Sequence, residues 1–375
     1  MRVLPILDLK RSCGALKGEI LEAVSRVLES QSFILGQEVH AFEERVESYL
    51  EGAAAVGCAS GTDALILALM ALGVGPGDEV VTTPYSFFAT VSCIVRLGAT
   101  PVFADIDPKT YNIDLKDAAA RFGSKTRALL PVHLFGQMTP LEEIVGLCRE
   151  KGVSVVEDAA QAFGSWRRDG ERIVRAGGMG TLGCYSFFPT KNLGACGDAG
   201  MVVTKDARLA ERLKKLRVHG AGTTYLHEEV GLNSRLDAIQ AAILNVKFRW
   251  LERWNEERRV LADRYRMFFG SKGLGEFVTL PEELEGNFHI YHQYAVRVAR
   301  RDALATWLEE RGLSTRVYYP LPLHLQKCFA FLGYGEGDFP ESERLARESL
   351  ALPMFVGLLP EEQERLVDAI AEFYR

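Results

Sequence analysis

The chain has 375 residues, 47% hydrophobic and 25% charged, with a formal net charge of -6. That is globular composition, with apolar material for one large core and a smaller one. A mildly acidic chain with no Lys/Arg block interleaved with aromatics speaks against nucleic acid as a partner.

The opening "MRVLPILDLKRSCG" turns charged too soon for a signal-peptide core. The longest apolar run, "ALILALMALGV" (64–74), falls well short of the ~20 residues that span a bilayer. The expectation is a soluble, cytoplasmic protein with no membrane partner. Residues 16–50 place apolar side chains at helical spacing: Ile20, Ala23, Val24, Val27 and Leu28, then Val39, Phe42, Val46 and Leu50. This predicts two helices joined by "SQSFILG".

From residue 60 helices and short apolar strands alternate. Helix "TDALILALMALG" precedes strand "DEVVTT", helix "SFFATVSCIVRLG" precedes strand "TPVFADI", and helix "LKDAAARF" precedes strand "RALLPVH". Helix "PLEEIVGLCREKG" leads to strand "VSVVED", then strands "CYSFF" and "GMVVT" and helix "RLAERLKKLR". Such strands fit a mainly parallel sheet between helices, an α/β domain whose ligands bind beyond the carboxyl ends of the strands. Residues 235–269 read as one long helical stretch bent near "WNEE", bridging to a small α+β unit. That unit holds strand "YHQYAVRV", helix "RDALATWLEERG", strand "STRVYY" and two helices, near 340–350 and 361–373. The expected division is a large domain over 1–245 and a small one over 246–375.

Seven cysteines occur without a CxxC pair, and most, Cys328 among them, read as small core residues. His289 and His292 in "HIYHQY" would point to opposite faces of a strand, so no metal site is expected.

Three strand-end stretches carry candidate chemistry. In "ASGTDAL" (59–65), Ser60, Gly61 and Thr62 open a helix. Free N–H groups and the helix dipole make an anion seat there; a plain N-cap by Ser60 or Thr62 is the competing explanation. In "VSVVEDAAQAFG" an apolar strand delivers Glu157 and Asp158, of which only one need face a crevice. A carboxylate so placed needs a cation, such as a protonated pyridine nitrogen, unless it merely caps the next turn. In "SFFPTKNLGACGDAG", Lys191 follows Ser186 among aromatics and glycines. A desolvated lysine has a lowered pKa and can condense with an aldehyde; a solvated loop lysine is the alternative. Anion seat, carboxylate and amine together match the phosphate, ring nitrogen and aldehyde of pyridoxal 5′-phosphate.

With "SGTDAL", "VEDAAQAFG", "SFFPTKNLGACGDAG" and "GLNSRLDAIQAA" in this order, the whole chain resembles the DegT/DnrJ/EryC1/StrS family of sugar aminotransferases. The resemblance implies the aspartate aminotransferase-like fold (fold type I) and a homodimer with composite sites. Lys191 would bond the cofactor aldehyde and act as base, and Asp158 would pair with the ring nitrogen. Gln161 would lie near the ring hydroxyl, Phe87 (Phe88 as second choice) would stack on the ring, and Gly61, Thr62 and Ser186 would hold the phosphate. Asn233 would reach the phosphate of the other subunit, and His324 and Tyr319 would meet the sugar. Where relatives often read "GDGG", this chain has "GDAG" at 197–200, a small change. The implied function is transfer of an amino group, usually from L-glutamate, to C3 or C4 of a nucleotide-linked keto-sugar, C3 slightly favoured. The setting would be amino-sugar, lipopolysaccharide or O-antigen synthesis. Three alternatives stand beside it. A sugar dehydratase would carry histidine in place of Lys191. A cysteine desulfurase would need a reactive loop cysteine. A regulatory or binding member would have lost the chemistry.

Overall fold

A computed structural model describes residues 3–223 and 225–375. Its centre is a seven-stranded sheet. The strands in chain order are β1 (Ala54–Cys58), β2 (Glu79–Thr82), β3 (Thr100–Phe103), β4 (Thr126–Leu130) and β5 (Ser154–Asp158). A hairpin of β6 (Trp166–Asp169) and β7 (Arg172–Arg175) lies outside the sheet, which is completed by β8 (Leu182–Ser186) and β9 (Gly200–Thr204). The spatial order is β1-β9-β8-β5-β4-β2-β3, and β9 alone runs against its neighbours.

Both sheet faces are covered, as the uniformly apolar strands require. On one face Val56, Cys58, Val156, Leu182, Cys184 and Val202 pack with the helix Gly61–Ala71. That helix buries Ala64, Leu65, Ile66, Leu67, Ala68, Leu69 and Ala71, so it is apolar all round and runs through the interior. On the other face Ala55, Tyr185, Met201 and Val203 meet Phe42, Phe163, Phe187 and Trp254. A separate core gathers Tyr265, Tyr294, Leu304, Leu350 and Ile370 around a three-stranded antiparallel sheet of Val278–Thr279, Tyr294–Val298 and Ser349–Leu352.

Several expectations need correction. The break in the long helical stretch falls at Arg249–Trp250, between helices Ala238–Phe248 and Leu251–Ser271, and not at "WNEE". Trp250 N–H bonds the Lys247 carbonyl, tightening the turn, while Asn255 inside "WNEE" is buried and held by Asn192 Nδ2 at 2.7 Å. Residues 314–319 form no strand: Arg316 pairs singly with Ala351, and the Tyr85 hydroxyl takes both the Tyr318 carbonyl and the Tyr319 N–H. The α-helix in "PLEEIVGLCREKG" shrinks to Val145–Glu150, and the helix from Pro340 stops at Glu348, giving way to the strand Ser349–Leu352. Cys328 is exposed, as is Cys196, whereas Cys58, Cys93, Cys148 and Cys184 are buried. Strands β1, β6 and β7 were not anticipated.

Candidate active site

The period of two along β5 decides which carboxylate meets the crevice. Val156 faces the helix Gly61–Ala71, so Asp158, two residues on, faces the same way; Val155 and Glu157 face the opposite layer. Ser186 shares the first face with Cys184 by the same parity. The start of the helix, Asp158 and Ser186 therefore converge where the strands end.

Close approach of backbone makes this possible. Ser60 caps the helix, its Oγ accepting the Asp63 N–H at 3.1 Å. The N–H groups of Gly61 and Thr62 have no partner among the described residues. A Cβ at Gly61 would come within 2.6 Å of Ser186 Cβ, and one at Gly200 within 2.2 Å of the Ser60 carbonyl. Only glycine lets the helix start touch the ends of β8 and β9.

A cavity of about 550 Å³ opens at this point. Eight of the ten sequence-derived site residues line it: Gly61, Thr62, Phe87, Asp158, Gln161, Ser186, Lys191 and Tyr319. Phe87 is 56% exposed and lies against Tyr319, ring centres 6.3 Å apart. Phe88 points elsewhere and stacks on Phe329 at 5.2 Å.

Lys191 is half-buried in the cavity wall and makes no salt bridge or hydrogen bond through Nζ among the described residues. Burial lowers its pKa to about 8 against a partial opposing pull from Asp158. Asp158 is 4% exposed. Its Oδ2 accepts from Thr90 Oγ1 at 2.8 Å and its Oδ1 from the Ala160 N–H at 3.2 Å. Burial raises its pKa; Thr90, the Ala160 N–H and Lys191 oppose that. Gln161 Oε1 accepts the Phe135 N–H at 2.8 Å, and Nε2 donates to the Tyr319 hydroxyl at 3.1 Å.

This donor set fits pyridoxal phosphate. An uncommitted amine, a buried carboxylate with unfilled lone pairs and a helix start with free N–H groups line one cavity. They match an aldehyde, a pyridinium and a phosphate.

Two named residues lie elsewhere. Asn233 is exposed and lines a neighbouring cavity with Ile34, Arg235 and Gln240, joined to the first through Asp198. His324 is buried against Phe339, its Nε2 within 3.2 Å of Glu343 Oε1. Sequence reasoning also missed cavity residues, above all His292. It lies 100 residues from Asn192, whose Oδ1 meets its Nδ1 at 3.0 Å, and burial holds its pKa far below the ordinary value. No local motif marks it, because only the tertiary fold brings "HIYHQY" to Lys191.

Comparison with known proteins agrees with this geometry. The model of the DegT/DnrJ/EryC1/StrS aminotransferase family matches residues 15–371. The chain is 49% identical over 371 residues to a "Pleiotropic regulatory protein" of Geobacillus stearothermophilus, covering 99% of this chain and 98% of that one. It is 42% identical over 367 residues to the UDP-N-acetyl-3-dehydro-alpha-D-glucosamine 3-aminotransferase of Acidithiobacillus ferrooxidans, covering 98% and 97%. The crystal structure of S. venezuelae DesV in complex with a ketimine intermediate superposes with a TM-score of 0.95 at 38% identity, covering 100% and 99%. With the family model spanning nearly its whole length, this chain belongs to the DegT/DnrJ/EryC1/StrS aminotransferase family.

Proposed function

We propose that the protein is a pyridoxal phosphate-dependent aminotransferase that aminates a nucleotide-linked keto-sugar. The carrying observation is the grouping of Lys191, Asp158 and the free helix start at Gly61–Thr62 around one cavity. When bound, pyridoxal phosphate supplies a ring that stores the electrons released as a carbon–hydrogen bond breaks.

The chain's own residues supply the rest. The Gly61 and Thr62 N–H groups, with the Thr62 and Ser186 hydroxyls, seat the phosphate at the positive end of the helix. Asp158 holds the proton on the ring nitrogen. Gln161, with Oε1 fixed on Phe135 and Nε2 on Tyr319, keeps one Nε2 proton for the ring hydroxyl. Phe87 covers the ring. Lys191 Nζ, whose depressed pKa leaves much of it neutral near pH 8, is the amine that would hold the cofactor through its aldehyde, with loss of one water. As a free amine at the cavity wall, it would take up and return the substrate proton.

The amino donor in this reading is L-glutamate and amination is at C3, the position printed in the names of several relatives. Asn233, exposed beside the cavity, serves the site of a second copy in a cytoplasmic homodimer. Tyr319, in the cavity wall, faces the sugar side, whereas the buried His324 does not reach it, and the product enters amino-sugar or lipopolysaccharide synthesis. The large and small domains divide near residue 245.

The test offers glutamate and a panel of UDP-, GDP- and dTDP-linked 3- and 4-keto-sugars, with the product identified by mass spectrometry and NMR. An aminated nucleotide sugar is the expected result. A regulatory reading draws on the name of the Geobacillus relative. It gains if the cofactor-supplemented protein shows no visible absorption band and no half-reaction with glutamate.

A further inference from the structure

Asp158 does not stand alone in the cavity wall. Thr90, the second residue of the helix Ala89–Arg96, is fully buried and places Oγ1 2.8 Å from Asp158 Oδ2. Ser86, also buried and itself lining the cavity, places Oγ 2.8 Å from the same Thr90 Oγ1. Proton counting fixes the direction of this chain. An ionised carboxylate only accepts, so the single hydroxyl proton of Thr90 goes to Asp158. Thr90 then has only lone pairs for Ser86, so the Ser86 proton goes to Thr90. The Ser86 oxygen is left as an acceptor at the cavity wall.

A carboxylate offers about four lone-pair positions. Thr90 fills one on Oδ2 and the Ala160 N–H fills one on Oδ1, which pins both oxygens. The remaining positions are open where Asp158 lines the cavity. Thr90 therefore fixes the side-chain torsion and keeps the group ionised without using up its capacity to pair with a cation.

We infer that Ser86 and Thr90 form a directed hydroxyl relay, in which Thr90 is the positioning residue that holds Asp158 charged and oriented toward the cofactor's ring nitrogen. This rests on the pyridoxal phosphate reading above. Thr90 touches neither substrate nor cofactor. It acts through Asp158, so removing its hydroxyl matters only while a carboxylate stands at 158.

The experiment measures release of pyridoxal phosphate from the holoenzyme by equilibrium dialysis, together with the position of the visible absorption band. Thr90→Val keeps the shape and removes the hydroxyl. It is expected to raise the dissociation constant about tenfold, the scale of one hydrogen bond to a charged group, and to shift the band. Thr90→Ser should stay within about twofold of the parent, and Ser86→Ala should weaken retention about threefold. In the Asp158→Asn background, Thr90→Val should have no further effect, because coupled partners are not additive. The inference is overturned if Thr90→Val retains cofactor like the parent. It is equally overturned if Thr90→Val costs the same in the Asp158→Asn background, which is the signature of a packing role. Should Thr90→Val not fold, Ser86→Ala decides alone, and an unchanged dissociation constant there sinks the relay. If the unsubstituted chain takes up no pyridoxal phosphate, the functional reading falls and takes this inference with it.

Discussion

Glu157 and Asp158 are neighbours on one strand, and both are buried. On its face Glu157 is filled. Oε2 receives His133 Nε2 at 2.7 Å and the Gly177 N–H at 2.8 Å; Oε1 receives the N–H groups of Met179 at 2.8 Å and Gly180 at 2.5 Å. His133 Nδ1 accepts the Thr139 N–H, so its ring proton sits on Nε2 and points at Glu157. Burial alone would raise the Glu157 pKa, but His133 and the Gly180 and Gly177 N–H groups bring it below the ordinary value. Asp158 has two donors, its pKa is pushed up, and it borders a cavity. The same chemical group is thus a structural clamp on one face and an unfinished site on the other. What separates them is the number of lone pairs the fold leaves open.

The comparison breaks or sharpens under substitution. The largest effect belongs to the amine that faces Asp158's side: Lys191→Ala is expected to abolish turnover, and near-parental rates in a coupled glutamate assay would end its assigned role. Asp158→Asn should cut turnover by about a thousandfold, within the range for a positioned charged group at the reacting centre. Because burial raises the Asp158 pKa, its charge is a cost at neutral pH, so the same variant's apoprotein should unfold at an unchanged or higher denaturant midpoint. Glu157→Gln should do the reverse. Removing one member of a filled buried pair costs about 3 kcal/mol in denaturant unfolding, while the protein that remains folded keeps its turnover. The lowered Glu157 pKa means that its contribution is present above the ordinary value of 4.5 and is lost as pH falls through the folded-state pKa.

The smallest effect is a pH profile. Lys191 has a folded-state pKa of about 8 against an ordinary 10.5, so the unfolded chain binds more protons between those values. Apoprotein stability should therefore rise with pH across that window, and Lys191→Met should lose the slope. Reductive labelling of Lys191, followed by peptide mass mapping, should show a midpoint near 8, well below that of exposed lysines.

Much of this was legible in the chain. Uniformly apolar "VSVVED" and "GMVVT" read as buried strands and are so, and Lys191, Asp158 and the "SGT" turn, singled out from the sequence, line one cavity. Parity showed that Glu157 and Asp158 part company, but not which of them faces the cavity, because that depends on where the helix Gly61–Ala71 lies. "AAAVGC" passed unread because its alanines and glycine give no strand periodicity, although β1 pairs with β9 along its full length. "STRVYY" has β-branched and aromatic residues, yet the Tyr85 hydroxyl claims the backbone groups a ladder would need. His292 and Thr90 became visible only as neighbours in space.

The loop from Phe188 to Gly194 has a further consequence. A Cβ at Gly194 would sit 2.4 Å from the Pro189 carbonyl, and Lys247 Nζ grips the Gly194 carbonyl at 2.7 Å. The Lys191 amine is thus mounted on a segment without slack, while His292, Gln293, Tyr318 and Tyr319 enter the same cavity from the carboxyl-terminal third of the chain. Substitution at Gln293 or Tyr318 can therefore reshape the cavity without touching the loop that carries Lys191, whereas substitution at His292 cannot, because its Nδ1 lies 3.0 Å from Asn192 Oδ1 on that loop.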